Sequence, residues 1–129
     1  MIQISSLTEQ NIYNLDPAEL EAALRQEFFI EIPVSIDTEE DMANAQQLLS
    51  KCGAYYSYLA YMSLQIRTRK KRLRLDRADK DTISRVMIYE DIFETFADLT
   101  KQAFSTISRM LSVKNMQTEA NRASGRYAI

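Results

Sequence analysis

The 129-residue chain contains no histidine, one cysteine, two glycines and two prolines. Without histidine it lacks the commonest general base at neutral pH and the commonest metal ligand. A single cysteine excludes an intrachain disulfide and a zinc cluster. Glycine and proline together make up about 12% of an average chain, and four such residues in 129 is far below that. Hairpin-rich sandwiches, barrels and Gly-loop nucleotide folds need residues at positive φ, so this composition nearly rules them out. No run of about 18 apolar residues is present, so no transmembrane helix is expected. The N-terminus lacks the basic-then-apolar form of a signal peptide. At 46% hydrophobic and 26% charged, the chain has ordinary globular composition and is too apolar for a disordered one. These readings predict an intracellular, mostly helical protein of one domain, 1–129, that works by binding.

The net charge of −2 hides a strong segregation. Residues 1–50 hold ten acids and one base, Arg25. Residues 51–77 hold eight bases and one acid, Asp76, for a net +7. Residues 78–129 hold seven of each sign. The acidic pI argues against nucleic acid only if taken alone. Phosphate binding depends on the local field, which screening at physiological salt confines to about 8 Å.

Asp16-Pro17-Ala18-Glu19 reads as a helix start: Asp16 can cap, Pro17 suits the first position and Glu19 makes a box-like pattern. The helix is predicted over Pro17–Glu27, with Leu20, Leu24 and Phe28 on one apolar stripe. Residues 28–36 (FFIEIPVSI) are β-branched and aromatic and carry Pro33, which predicts an extended segment or lone edge strand. Residues 1–15 show weak patterning and are expected to pack loosely. Together 1–36 form an N-terminal region ahead of a helical hairpin, 37–125.

Asp37 or Thr38 is expected to cap a long helix ending near Leu75. Its apolar seam is Met42, Ala45, Leu48, Leu49, Cys52, Tyr55, Tyr56, Leu59, Met62 and Ile66, in steps of three and four. Gly53 inside it marks a close helix contact or slight kink. Asp81 is expected to cap a second long helix from Thr82 to about Arg122. That seam contains Ile83, Val86, Ile88, Ile92, Phe93, Phe96, Leu99, Ala103, Phe104, Ile107, Met110 and Leu111. Ser124-Gly125 is its expected stop, with Arg122 and Arg126 near the negative end. The short link forces an antiparallel hairpin, with residues 67–77 at its tip, far from the acidic N-terminal region. The leftover apolar surface predicts packing by a third helix or by other subunits.

No nucleotide loop, metal-ligand spacing or nucleophile–base pair is legible, so neither an enzyme nor a cofactor is expected. Glu90, Asp91, Glu94 and Asp98 are most simply a solvated helix face, and Cys52 a buried small hydrophobe. The strongest local feature is the run 67–77, with seven bases in eleven residues: Arg67, Arg69, Lys70, Lys71, Arg72, Arg74 and Arg77. One or two would complement a helix C-terminus, whereas seven repel one another and point to a phosphate-binding patch. A localisation signal has the same composition. A membrane-surface patch would interleave more large apolar residues than Leu73 and Leu75. Tyrosines 55, 56 and 61 fit core or subunit contacts. Tyr58, off the main seam, is the candidate for exposure and for stacking on a base.

The acidic and aromatic stretch 27–31, the Tyr-rich seam running into residues 65–71, and above all Arg72-Leu73-Arg74-Leu75-Asp76 resemble the UvsY-like phage recombination mediators. The last element resembles that family's basic-x-basic-Leu-Asp segment implicated in single-stranded DNA binding. Residues 103–125, including Ser108-Arg109-Met110 and Lys114-Asn115-Met116-Gln117, resemble its last helix. The resemblance spans about residues 27–125. It implies a non-enzymatic homo-oligomer, ring-like in form, in the cytoplasm of a host cell. Such a protein would bind single-stranded DNA, help displace single-strand-binding protein and load a RecA-like recombinase. Two other readings stay open: a coiled-coil adaptor without nucleic acid, and a phage-encoded inhibitor acting through the acidic half.

Overall fold

The computed structural model describes residues 2–126, with side chains described through Asn121. Two short 3-10 turns, Ile4–Ser6 and Ile12–Asn14, precede three helices: α1 (Pro17–Glu27), α2 (Glu39–Leu75) and α3 (Lys80–Arg126). The protein is mostly helical, and α2 and α3 pack as a long hairpin. No helix among the described residues is long and apolar enough to cross a membrane.

Each helix starts where a side chain satisfies the first free N–H groups. Asp16 accepts from the Ala18 N–H at 3.2 Å, with Pro17 at the first helical position. Glu19 makes no return bond, so the expected box is not formed there. At α2 it is Thr38 rather than Asp37 that caps. Its hydroxyl accepts from the Asp41 N–H at 3.0 Å, and the Asp41 carboxylate accepts from Thr38 N–H at 3.1 Å, a full capping box. Backbone donors from Asp37 and Thr38 hold the Asp41 carboxyl below its ordinary value.

The α2–α3 link is tighter than the sequence implies. Ala78 N–H bonds Leu73 C=O at 2.9 Å and Arg77 N–H bonds Arg74 C=O at 3.2 Å. That pairing is a Schellman stop, and Arg77 takes its left-handed position at φ 58°. Asp79 follows at once and caps α3, its carboxylate accepting from Thr82 N–H at 2.7 Å. The cap is therefore Asp79, not Asp81, because the helix must start as soon as the stop is complete. At the far end α3 runs through Gly125 to Arg126, so Ser124-Gly125 does not stop it. No described glycine adopts the positive φ that such a stop uses. The side chains of Arg122 and Arg126 lie outside the described residues.

Two apolar clusters hold the layers together. The larger joins Leu59, Met62 and Ile66 of α2 to Val86, Tyr89, Phe93, Phe96 and Ala97 of α3, and to Leu20 and Leu24 of α1. Fully buried Ile12 belongs to it, with Ile4, Leu7, Tyr13 and Leu15 packed against it. Residues 2–15 are thus built into the core, not loosely packed. The smaller cluster lies toward the open end, where Ile36 meets Ala45, Ile107 and Leu111, flanked by Ile30 and Met42.

Residues 28–36 run along the hairpin without forming a strand, since no described segment offers a ladder. Ile30 and Ile36 turn inward, while Phe29, Ile32 and Val34 stay exposed. The α3 seam is narrower than its apolar residues imply: Ile88, Leu99 and Phe104 are exposed, and the core position is taken by Tyr89. A Cβ at Gly53 would meet nothing within 4 Å, so no close helix contact explains that glycine.

Candidate nucleic-acid interface

The seven bases of 67–77 lie on the last turns of α2 and in the link, at the hairpin tip. The fold divides them into two groups. Arg67 donates to Glu94 at 2.6 Å, and Lys70 donates to Glu90 at 2.7 Å. Both acids come from α3; of the expected solvated face only Glu90 turns inward, while Asp91 and Asp98 are exposed and the Arg67–Glu94 pair lies at the surface. Glu90 is 5% exposed, and its second oxygen has no hydrogen-bond partner.

Arg69 is held by the N-terminal region. Its guanidinium grips both oxygens of Glu9, with Nη2 to Oε2 at 3.0 Å, and lies 5.4 Å from the Tyr13 ring centroid. The Tyr13 hydroxyl donates to Glu9 at 2.8 Å. Burial pushes the Glu9 carboxyl up, but the bonds from Arg69 and Tyr13 outweigh it and hold the group below its ordinary value. Burial, together with the bond to Glu9, pushes the Tyr13 phenol well up. This N-terminal strap, residues 2–15, is fixed further by Arg85, which donates to Tyr13 C=O at 2.5 Å, and by Tyr89, which donates to Leu15 C=O at 2.5 Å. Residues 9–15 thus clasp the tip and bring Glu9 to it, while the acids of 37–41 lie at the opposite end of α2, as far away as expected. A carboxylate binds a guanidinium fork as a phosphate would, so Arg69 is already occupied.

Lys71, Arg72, Arg74 and Arg77 remain. All four are exposed and make no ion pair among the described residues. Arg72 lies close enough to Glu9 to lower its pKa further. Exposed Leu75 and Asp76 sit among them. A cluster of free, adjacent cations on a helix end can take several phosphates of a flexible strand without reading its bases.

Comparisons with protein-family models, curated proteins and solved structures find no match to this chain.

Tyr58 is not available for stacking on a base. Its ring stacks on Phe28 at 5.4 Å and meets Phe93 edge-on at 6.5 Å, and its hydroxyl is buried without a partner. Helical spacing places it off the α2–α3 seam, but α1 delivers Phe28 to cover it. Cys52 is fully buried, and burial pushes its thiol up. The carboxylates of Glu90, Asp91 and Glu94 lie within 4.8 Å of one another. The Lys70 ammonium and the Arg67 guanidinium already supply the positive charge there. Glu9 and Tyr13 are the site residues that sequence reasoning misses. A Glu and a Tyr four apart in a short irregular segment carry no periodic signal.

Proposed function

We propose that this chain is a non-enzymatic single-stranded DNA-binding protein of the recombination-mediator type, binding phosphates at its hairpin tip. The observation that carries this reading is the set Lys71, Arg72, Arg74 and Arg77: four exposed cations, none in an ion pair among the described residues, over seven residues of one tip. Arg77 adds weight, because it holds a left-handed position where glycine is the cheaper residue. Delivery of the strand to a RecA-like recombinase, in place of single-strand-binding protein, is the role the family resemblance adds.

A coiled-coil adaptor is the second reading, favoured by one specific observation. Arg67, Arg69 and Lys70 serve the fold, so the tip is less basic than its sequence. Fluorescence anisotropy with single-stranded and duplex oligonucleotides at two salt concentrations separates the two. The mediator reading expects salt-dependent binding that favours the single strand. No binding to either form at low salt selects the adaptor.

A further inference from the structure

Two clusters of exposed like charges stand out, basic at the hairpin tip, where Asp76, Asp79 and Asp81 lie beside the bases, and acidic toward the open end. Toward the open end of the hairpin, residues 31–41 carry five acids, and no base occurs between Arg25 and Lys51. Glu31, Asp37, Glu39 and Glu40 are exposed and make no ion pair among the described residues. Lys114 and Glu119 of α3 border the same end and offset each other. Apolar side chains accompany the acids: Ile32 is 42% exposed and Val34 fully so. Ile32, Pro33 and Val34 border a cleft with Leu48 and Lys51. The opposite end offers Arg72, Arg74 and Arg77 around Leu75, which is 76% exposed.

The two ends cannot meet within one chain. Glu39 and Arg72 stand 33 residues apart on the same continuous helix, a separation of about 50 Å. An Arg and a Glu side chain together reach only a fraction of that. We propose that the occupant of the acidic end is the basic tip of a second copy, docked head to tail. The carboxylates of 31–40 would then take the place of phosphates against Arg72, Arg74 and Arg77, with Leu75 against the Ile32–Val34 cleft. The contact joins two different patches, so each added copy leaves one free acidic end and one free tip, and assembly grows until it closes. The inference shares the tip with the DNA-binding reading. Its consequence is that self-association and DNA compete for the same arginines.

The test uses light scattering on the full chain at micromolar concentration, in about 0.1 M and about 1 M salt, where the screening length falls from about 10 Å to 3 Å. The parent should exceed 14.9 kDa at low salt and return to that mass at high salt. Glu39→Gln with Glu40→Gln should be monomeric at low salt, and so should Arg72→Gln with Arg74→Gln, each with the parent's circular dichroism. An equimolar mixture of the two variants should reach the mass of two chains and stop there, because only one intact pair of ends remains. A parent that stays at 14.9 kDa in low salt overturns the proposal. So does an oligomer that ignores salt and both variants, which would place assembly on the apolar helix faces. The salt arm needs no variant, so a misfolded variant leaves the test decisive. If the mixture pairs but no oligonucleotide binds, the docking stands and the DNA reading fails. If the parent binds oligonucleotide as a monomer, the reverse holds.

Discussion

Glu9 shows how a charged residue in an irregular segment can be fixed by chemistry that has no sequence period. Its carboxylate is 15% exposed and receives the Arg69 fork and the Tyr13 hydroxyl. Its folded-state pKa is depressed, so its contribution is present above the unfolded value and fades as pH falls through the folded one. Glu9→Gln should therefore destabilise the protein at pH 7 by about 1–2 kcal/mol, the range of a charge-assisted bond whose guanidinium partner is partly solvated. Urea melts at pH 7 and pH 3 check this, and the gap between parent and variant should narrow at the lower pH. Tyr58 presents the opposite case, a buried hydroxyl with no partner. Tyr58→Phe keeps the stack on Phe28 and removes a desolvated polar atom. Thermal stability should hold or rise by up to about 1 kcal/mol, with DNA affinity unchanged. A loss of affinity would restore the stacking role that the buried geometry denies.

The helices are the most legible elements. Asp16-Pro17 places α1 at Pro17–Glu27, and the acid-rich start and basic end of α2 bracket Glu39–Leu75, because caps and macrodipole preferences are local and set by adjacent residues. The start of α3 is less legible. Asp79 and Asp81 are equally good caps in isolation, and the choice depends on where the preceding Schellman stop ends. The strap 2–15 is not legible, since Ile12 is buried by partners far along the chain, and the apolar stripe of α1 shows Phe28 but not that it partly covers Tyr58. The tip is half legible. The composition of 67–77 shows the bases, but which of them are free depends on Glu9, Glu90 and Glu94 arriving from elsewhere. Two backbone predictions belong to the elements. Gly53 lies in mid-helix with open space around it, so Gly53→Ala should raise stability by about 0.5–1 kcal/mol in a urea titration. Arg77→Gly relieves a left-handed non-glycine and should raise stability by up to about 1 kcal/mol. It also removes one tip cation, so DNA affinity should fall while stability rises. A variant in which both fall would mean that Arg77 has a structural partner.

Across the whole molecule the tip bases divide into those that hold the hairpin closed and those left facing solvent, and paired substitutions can separate the two classes. Lys70 and Glu90 have side chains 15% and 7% exposed. Lys70→Ala leaves a carboxylate buried between α2 and α3, with neither oxygen bonded to a cation. Breaking one side of such a pair costs about 3 kcal/mol or more. This variant should lose stability sharply, and any drop in DNA binding should track its unfolding. Arg72→Ala with Arg74→Ala removes two exposed charges that form no ion pair among the described residues, and only the field of Arg72 at Glu9 is lost, so helicity and urea midpoint should stay near the parent's. Its effect should appear in binding. Every phosphate that the tip no longer engages lowers the slope of log affinity against log salt by about 0.7 for a single strand. Anisotropy titrations across a salt series measure slope and affinity together. Weaker binding with an unchanged slope would point to altered folding rather than to fewer phosphates held. A double variant that binds like the parent at every salt concentration would remove the tip as the DNA site. The free cations would then be left to the acidic end of a neighbouring copy.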